Sequence, residues 1–372
     1  MSDPRPPRRR TKRWLVALLA LTGAIILLLA TPVPLWRTGR VEAPPLDLVS
    51  GGPPLPRSSR LWIDTDAACG ATPRTDPDDC LAIAWLAATG HDIAGISTSY
   101  GNAGGDVVER TANMLAARIA GNGLKPIPVW RGWAGPVPAE AGTAPTAQVM
   151  LRAALEQGPL TILALGPLTN VAAVLDGRPD LQRNLTRLVA VMGHRPGHLF
   201  HPTEASGRGV LMGHGPIFRD LNFGMDEASA RSILRMRLPL TLIPYDAARH
   251  APITAGDLET LVRQAPALAW AAGTAKGWLA FWQEDIGQPG FYPFDWVAAA
   301  YVAEPRLFDC AQTNAWIATE WAFWLYPRRS LLVGPRLEDA DGSASVLYCP
   351  QANPTLHDYL LTGKINQSQP GQ

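Results

Sequence analysis

Residues 61–80 read LWIDTDAACGATPRTDPDDC. The opening LWID is nearly continuously apolar, as in a strand covered on both faces of a parallel sheet. A concentration of acid follows. Asp64, Asp66, Asp76, Asp78 and Asp79 fall within sixteen residues, with Arg74 as the one cation among them. Asp76 is placed to cap a helix that has Pro77 at its first position. Left unpaired, carboxylates at this density repel one another and their pKa values rise. A bound divalent cation removes the conflict. An all-oxygen donor set suits Ca2+ or Mg2+, and no His or Cys stands nearby with ligand spacing, which argues against zinc. Capping alone accounts for Asp76 and stays open for Asp64.

Working outward, DIAGISTSY, LTILAL, LTRLVAVM and LTLIPY repeat the buried-strand pattern of LWID. Helical stretches lie between them: DDCLAIAWLAATG, DVVERTANMLAARIAG, LTNVAAVLDG and MDEASARSILRM. Such alternation predicts an α/β fold, an open and mostly parallel β-sheet flanked by helices with a Rossmann-like core. Ligands in that architecture bind at the carboxyl ends of the strands, where the acid-rich segment sits. No internal repeat is visible.

The 372 residues are 47% hydrophobic and 17% charged, which excludes a disordered or fibrous chain. The net charge of +1 gives no reason to expect nucleic acid as a partner, but it is unevenly spread. Residues 1–13 carry six basic side chains against Asp3, or +5; residues 14–60 add +2, which leaves −6 for residues 61–372. Between Trp14 and Trp36 no charged residue occurs. About 20 such residues span a bilayer as a helix, and a preceding basic cluster keeps the N-terminus cytoplasmic. The expectation is a basic leader (1–13), a transmembrane anchor (14–36) and a Pro/Gly-rich linker (37–60). A folded domain (61–372) would then lie outside the cytoplasm, at the inner membrane. Secretion after signal cleavage is the alternative, weakened by the poor cleavage pattern around Leu28-Leu29-Ala30. Cys69, Cys80, Cys310 and Cys349 form no CxxC pair. Outside the cytoplasm disulfides become available, and Cys69–Cys80 with Cys310–Cys349 is one of three connectivities. Four reduced thiols are the other reading.

Six blocks in order resemble the inosine-uridine type nucleoside hydrolase family. They are Asp64-Thr65-Asp66 with Asp78-Asp79, STSYGN ending in Asn102, LALGPLTNVA (163–172), LVAVMGH (188–194), DLNFGMDEASA (220–230) and FDWVAAAY (294–301). The resemblance covers residues 61 to about 302 and implies that family's fold. It also implies calcium-dependent hydrolysis of the N-glycosidic bond of ribonucleosides. Asp66 would bind Ca2+ and act as general base, with Asp79, Asp295 and the carbonyl of Leu165 completing the metal ligands. Asp78, Asn102, Asp220 and Asn222 would bind the ribose hydroxyls, and Met192 would line the sugar pocket. The reaction passes through an oxocarbenium-like transition state, which nearby carboxylates stabilise. Family members commonly form dimers or tetramers, so a homo-oligomer is a further expectation.

Several residues depart from the family pattern. Residues 67–77 are longer than the family's tight turn, Phe294 replaces a His, and the family's EFN reads Asp220-Leu221-Asn222, with a shorter carboxylate, whereas LVAVMGH (188–194) resembles the family's VxxMGG strand. No His occurs in WRGWAGPVPAEAGTAPT, so the acid that assists the leaving group does not transfer. His198, His201 and His214 read as loop residues and His250 as a core histidine. Trp278, Phe281, Trp282, Phe291 and Tyr292 precede Asp295, as a stacking platform for a nucleobase or as ordinary core. Two other classes compete. One is a non-catalytic, calcium-dependent nucleoside or sugar binding protein on the same fold. The other is a haloacid-dehalogenase-like phosphatase, which wants Thr or Val where Ala68 stands and a catalytic Lys that neither Lys125 nor Lys276 is placed to supply.

Overall fold

The computed structural model describes residues 10–29, 44–55, 60–136, 144–196, 219–322, 326–335 and 342–364. Its strands are β1 (Val49–Ser50), β2 (Arg60–Thr65), β3 (Ile93–Thr98), β4 (Val129–Trp130), β5 (Leu160–Ala164) and β6 (Leu185–Ala190). They continue with β7 (Leu240–Leu242), β8 (Ile253–Thr254), β9 (Gly290–Phe291), β10 (Phe308–Ala322), β11 (Tyr326–Gly334) and β12 (Ala344–Ala352). The main sheet runs β1-β10-β12-β7-β6-β5-β2-β3-β4, with β11 also paired to β10. From β12 to β4 every pairing is parallel. All five strands expected from the sequence lie in this part.

Side-chain alternation explains why these strands read as continuous apolar runs. Leu61 and Ile63 enter one hydrophobic cluster, and Trp62 enters the other, on the opposite face. Leu163 and Ile162 divide in the same way on β5. Each face is covered, so neither set can be polar. The helix Asp78–Ala88 is buried from Asp78 to Leu86, which is why DDCLAIAWLAA carries no charge after its first two residues. Leu81, Ile83 and Leu86 are fully enclosed, and each contributes about 1.5–3 kcal/mol of burial.

The chain leaves β2 toward β3 and β4, then returns to build β5, β6 and β7 on the other side of β2. The order therefore reverses between β2 and β5, which opens a crevice beyond their carboxyl ends. Asp64-Thr65-Asp66 ends one strand there and Leu165-Gly166 follows the other.

Three features differ from the sequence expectation. Strands β10, β11 and β12 extend the sheet with antiparallel pairs, a hairpin addition that the sequence reading did not place. Residues 44–55, assigned to the linker, lie on the domain: Val49 and Ser50 pair with β10, and Gly52 N–H bonds the carbonyls of Pro305 and Phe308 at 3.0 Å. These are backbone contacts, which leave no side-chain pattern to read. The apolar N-terminal segment forms the helix Arg10–Leu29 with exposed apolar side chains from Trp14 to Ile26. Among the described residues no helix is long and apolar enough to cross a membrane, and residues 30–36 of the expected span lie outside them.

Both disulfides form, Cys69–Cys80 and Cys310–Cys349. The first closes the base of the 67–77 excursion and returns Asp78 and Asp79 to the crevice. The excursion rests on the segment 274–286. Thr274 packs on Gly70, and the Pro73 carbonyl lies where a side chain at residue 277 would go. Arg74 pairs with Asp285 at 2.6 Å and Glu284 at 3.3 Å. These ion pairs are exposed and hold the loop only weakly.

Candidate active site

The crevice is a cleft with a cavity volume of about 180 Å3. Asp76, Asp78, Asn102, Leu165, Met192, Asp220, Asn222 and Asp295 contribute to its lining, so most of the residues singled out in the sequence meet here.

Two helix N-termini bring the carboxylates together. Asp78 and Asp79 open the helix Asp78–Ala88, and Asp295 is the second residue of Phe294–Ala303. Asp78 Oδ2 accepts the Asp295 N–H at 3.0 Å and Asp78 Oδ1 accepts the Asp79 N–H at 3.0 Å. The helix starts one residue later than the sequence suggested, at Asp78, yet Asp76 Oδ1 still accepts the N–H of Asp78 at 3.2 Å. Asp78, Asp79 and Asp295 are buried, and one oxygen from each lies within 4.8 Å of the others.

Asp66 sits beside this trio. Its Oδ2 accepts the backbone N–H of Asn102 at 2.9 Å, while Asn102 Nδ2 is shared between Asp66 Oδ1 (3.3 Å) and Asp79 Oδ2 (3.1 Å). Gly101, at φ +154°, makes this approach possible, because a Cβ there would overlap Asp66 Oδ2. Thr65 Oγ1 donates to Asp79 Oδ1. Asp64 accepts from Ser97 and, at 2.9 Å, from Asn170 Nδ2; Ser97 also accepts the Trp62 indole N–H at 2.9 Å. Thr65, Ser97 and Asn170 were not given roles from the sequence, although each lies inside one of the resembling blocks: Asp64-Thr65-Asp66, STSYGN and LALGPLTNVA respectively.

Burial raises every one of these acids. Asp64 is pushed up to about 7 despite its two hydrogen bonds. Asp79 is pushed up to about 6 by burial and then by the charge of Asp78. Asp66 and Asp295 stand well above the ordinary carboxylate range, through burial first and then through Asp79 and Asp78 respectively. Asp64 Oδ2 is buried without a hydrogen-bond partner among the described residues. Crowded, dehydrated and oxygen-only, the cluster fits a hard divalent cation.

The expected metal set and the observed grouping overlap at Asp79 and Asp295. Asp78 joins them geometrically, Asp66 adjoins through Asn102, and the Leu165 carbonyl accepts Asn222 Nδ2 at 2.7 Å.

Also in the lining, Asp220 is anchored at 2.7 Å to the N–H of Gly193 and at 3.1 Å to that of Phe223. Asn222 Nδ2 donates to Leu165 and, at 2.9 Å, to Val191, which leaves its carbonyl oxygen as the group available to a ligand. Met192 is buried and lines the same cleft. Arg219, Leu221, Tyr245 and Phe294 also line the cleft; Leu221 lies in the DLNFGMDEASA block, and Phe294 stands where the family resemblance has a His.

Of the five aromatic residues before Asp295, Trp278 lines the cleft, while Trp282 and Phe291 are wholly buried core and Tyr292 nearly so. Phe281 is half-buried against Trp278, with Arg74 over its ring at 5.9 Å. His250 is exposed at the end of the short helix Tyr245–Ala248 rather than a core residue. The buried residues of that helix end at Ala248, and both Arg249 and His250 after it are exposed. His198, His201 and His214 lie outside the described residues.

Comparison with known proteins follows the same line. The family profile described as inosine-uridine preferring nucleoside hydrolase matches residues 61–329. The non-specific ribonucleoside hydrolase RihC of Salmonella schwarzengrund is 27% identical over 150 residues, 40% of this chain and 43% of that relative. The chain thus spans less than half the length of that protein. The pyrimidine-specific ribonucleoside hydrolase RihA of Citrobacter koseri is 26% identical over 268 residues, 65% of this chain and 80% of the relative. Among solved structures, a plant nucleoside hydrolase, PpNRh1, superposes with a TM-score of 0.63 at 17% identity, covering 82% of this chain and 98% of its own. The purine-preferring ribonucleoside hydrolase of Gardnerella vaginalis gives 0.59 at 18%, covering 82% and 96%. At these identities the structures speak for the fold.

Proposed function

Because the chain belongs to the inosine-uridine preferring nucleoside hydrolase family, we propose that it hydrolyses the N-glycosidic bond of ribonucleosides, releasing ribose and free base. The observation that carries this reading is one cleft lined by Asp78, Asp295, Asp220 and Asn222, with Asp79 grouped against Asp78 and Asp295.

Asp66 is the proposed general base. Its carboxylate is fixed from two directions by Asn102 and is held at high proton affinity by burial. Asp79, Asp295, Asp66 and the Leu165 carbonyl would hold Ca2+, with Asp78 close enough to share in it. Bound there, the cation would offset the clustered negative charge and polarise a water for attack. Asp78, Asp220 and Asn222 supply acceptors for ribose hydroxyls, and buried carboxylates near the sugar favour the positive charge that develops as the bond to the base breaks. Trp278 offers a face on which a base can stack.

Assay of the purified chain against a panel of purine and pyrimidine ribonucleosides tests this. Ribose and base should appear in equal amounts, and Asp66→Ala should lower kcat by about a hundredfold or more. Binding without turnover across the panel would favour the non-catalytic reading.

For location, the proposal is a membrane-tethered enzyme with its domain outside the cytoplasm. The basic leader and the uncharged, apolar run of sequence from Trp14 to Trp36 support it. Mass spectrometry of the mature N-terminus is the check, and a chain beginning near residue 31 would replace the tether by secretion. The assembly proposed is a homo-oligomer, for which sedimentation of the purified chain is the measurement.

A further inference from the structure

Behind the wall that carries Asp220, the long hairpin β10–β11 reaches the carboxyl end of β6. His194 Nε2 lies 2.8 Å from Glu320 Oε2, across 126 positions of sequence, with both side chains largely withdrawn from solvent. Arg328, on the opposing strand, lies 3.7 Å from the same Glu320 oxygen. The His194 backbone is clamped as well: its N–H donates to Leu331 at 3.1 Å and its carbonyl accepts from Val333 at 2.9 Å. Gly193 adopts φ +85°, and a Cβ there would press on Val333 and Leu242, so the backbone turns against the hairpin with no slack. The N–H of this same Gly193 is the donor to Asp220 Oδ2.

We propose that the His194–Glu320 pair is a positioning device for Asp220, through which the hairpin fixes the Gly193 N–H on the sugar-binding carboxylate and so sets affinity for the ribose. The inference rests on the role given to Asp220 above. His194 occupies a position where the family resemblance has Gly, and a glycine would leave the turn held by backbone contacts alone. The imidazole adds a third anchor, which functions only because Glu320 is brought to it. Neither residue touches the cleft, so the pair acts on binding through Gly193 and Asp220, not on bond cleavage.

Steady-state kinetics of the full chain with a ribonucleoside that it hydrolyses is the test. Glu320→Ala and His194→Gly should raise KM about tenfold while kcat changes by less than about threefold, the pattern of lost binding that is uniform along the reaction. Glu320→Gln, which keeps an acceptor for the ring, should stay within about twofold of wild type in KM. An unchanged KM in a folded Glu320→Ala chain overturns the proposal. So does an equal loss of kcat and rise of KM in Glu320→Ala that Glu320→Gln shares, because generic packing damage behaves that way. If Glu320→Ala does not fold, Glu320→Asp takes its place, since its shorter carboxylate falls short of the ring, and the same criteria apply. If wild type turns over no nucleoside, the hydrolase reading falls by itself. Calorimetric titration with nucleoside then decides the positioning role: weaker binding by Glu320→Ala supports it, and equal binding, or none by wild type, overturns it.

Discussion

The backbone N–H of Asp295 donates to Oδ2 of Asp78 at 3.0 Å and thereby ties together the first turns of two central helices from opposite ends of the domain. Each helix directs the positive end of its dipole at the cleft, which favours the ionised carboxylates gathered there. Four predictions follow from this junction and its surroundings.

Without a divalent cation the junction is a liability that grows with pH. The ordinary carboxylate value of 3.8 becomes about 6 for Asp79 and about 7 for Asp64 in the folded chain. A raised folded pKa means that the folded state binds more protons than the unfolded state between these values, so stability is lost as pH rises from about 4 to about 7. In chelator, calorimetry should show a lower unfolding midpoint at about pH 7.5 than at about pH 5. Calcium at a hundredfold excess over its Kd should add about 2.7 kcal/mol at the higher pH. A midpoint at neutral pH that responds to neither chelator nor calcium contradicts the cation site.

The two disulfides should separate stability from metal affinity. Cys310–Cys349 closes 39 positions between β10 and β12, and Cys69–Cys80 closes 11. Chain entropy assigns the longer loop about 4 kcal/mol and the shorter about 3. Cys310→Ser should therefore cost more in thermal unfolding yet leave calcium binding intact. Cys80→Ser should cost less but weaken calcium binding, since residue 80 adjoins Asp79. Equal calcium titrations for the two variants would disprove the distinction.

Gly101→Ala forces a methyl group onto the Asp66 carboxylate. Displacement of a reacting group by about 1 Å can cost a hundredfold in rate, and a loss of kcat of that order is expected. The unfolding midpoint should fall only by the equivalent of about 1–3 kcal/mol of local backbone strain. Kinetics and thermal melts on one preparation decide it, and wild-type kcat would remove Asp66 from the chemistry.

Trp278 and Trp282 are neighbours on one helical segment with different expected phenotypes. Trp278→Ala should raise KM about threefold to tenfold by removing an aromatic contact worth about 0.5–1.5 kcal/mol. Trp282 is wholly buried, and its replacement by Ala should cost about 3–5 kcal/mol in stability. Michaelis constants and unfolding curves on both variants would expose an inversion.

The parallel half of the fold was legible because both faces of β2 and β5 are covered, which forces unbroken apolar runs. Asp66, Asp78 and Asp79 were legible because carboxylates at that density need a reason. The hairpin β10–β11 was not: its strands are partly exposed, and their pairing depends on residues far apart in the chain. His194 with Glu320 shows the limit most clearly, since a separation of 126 positions leaves no local pattern. Asn102 was read as a sugar ligand; that it lines the cleft agrees with this reading, while the bridge of its amide between Asp66 and Asp79 is a geometry that only three-dimensional placement reveals. The aromatic run before Asp295 divided between cleft and core for the same reason.

The bridge from Cys69 to Cys80 makes residues 70–79 part of a covalent ring. A break in the peptide chain at its exposed tip, residues 70–74, would leave both ends attached to the protein. Changes of length at that tip can likewise be taken up within the ring without shifting the helix that begins at Asp78. The excursion is therefore a place where the family scaffold can vary in sequence and size while the carboxylates behind it keep their stations.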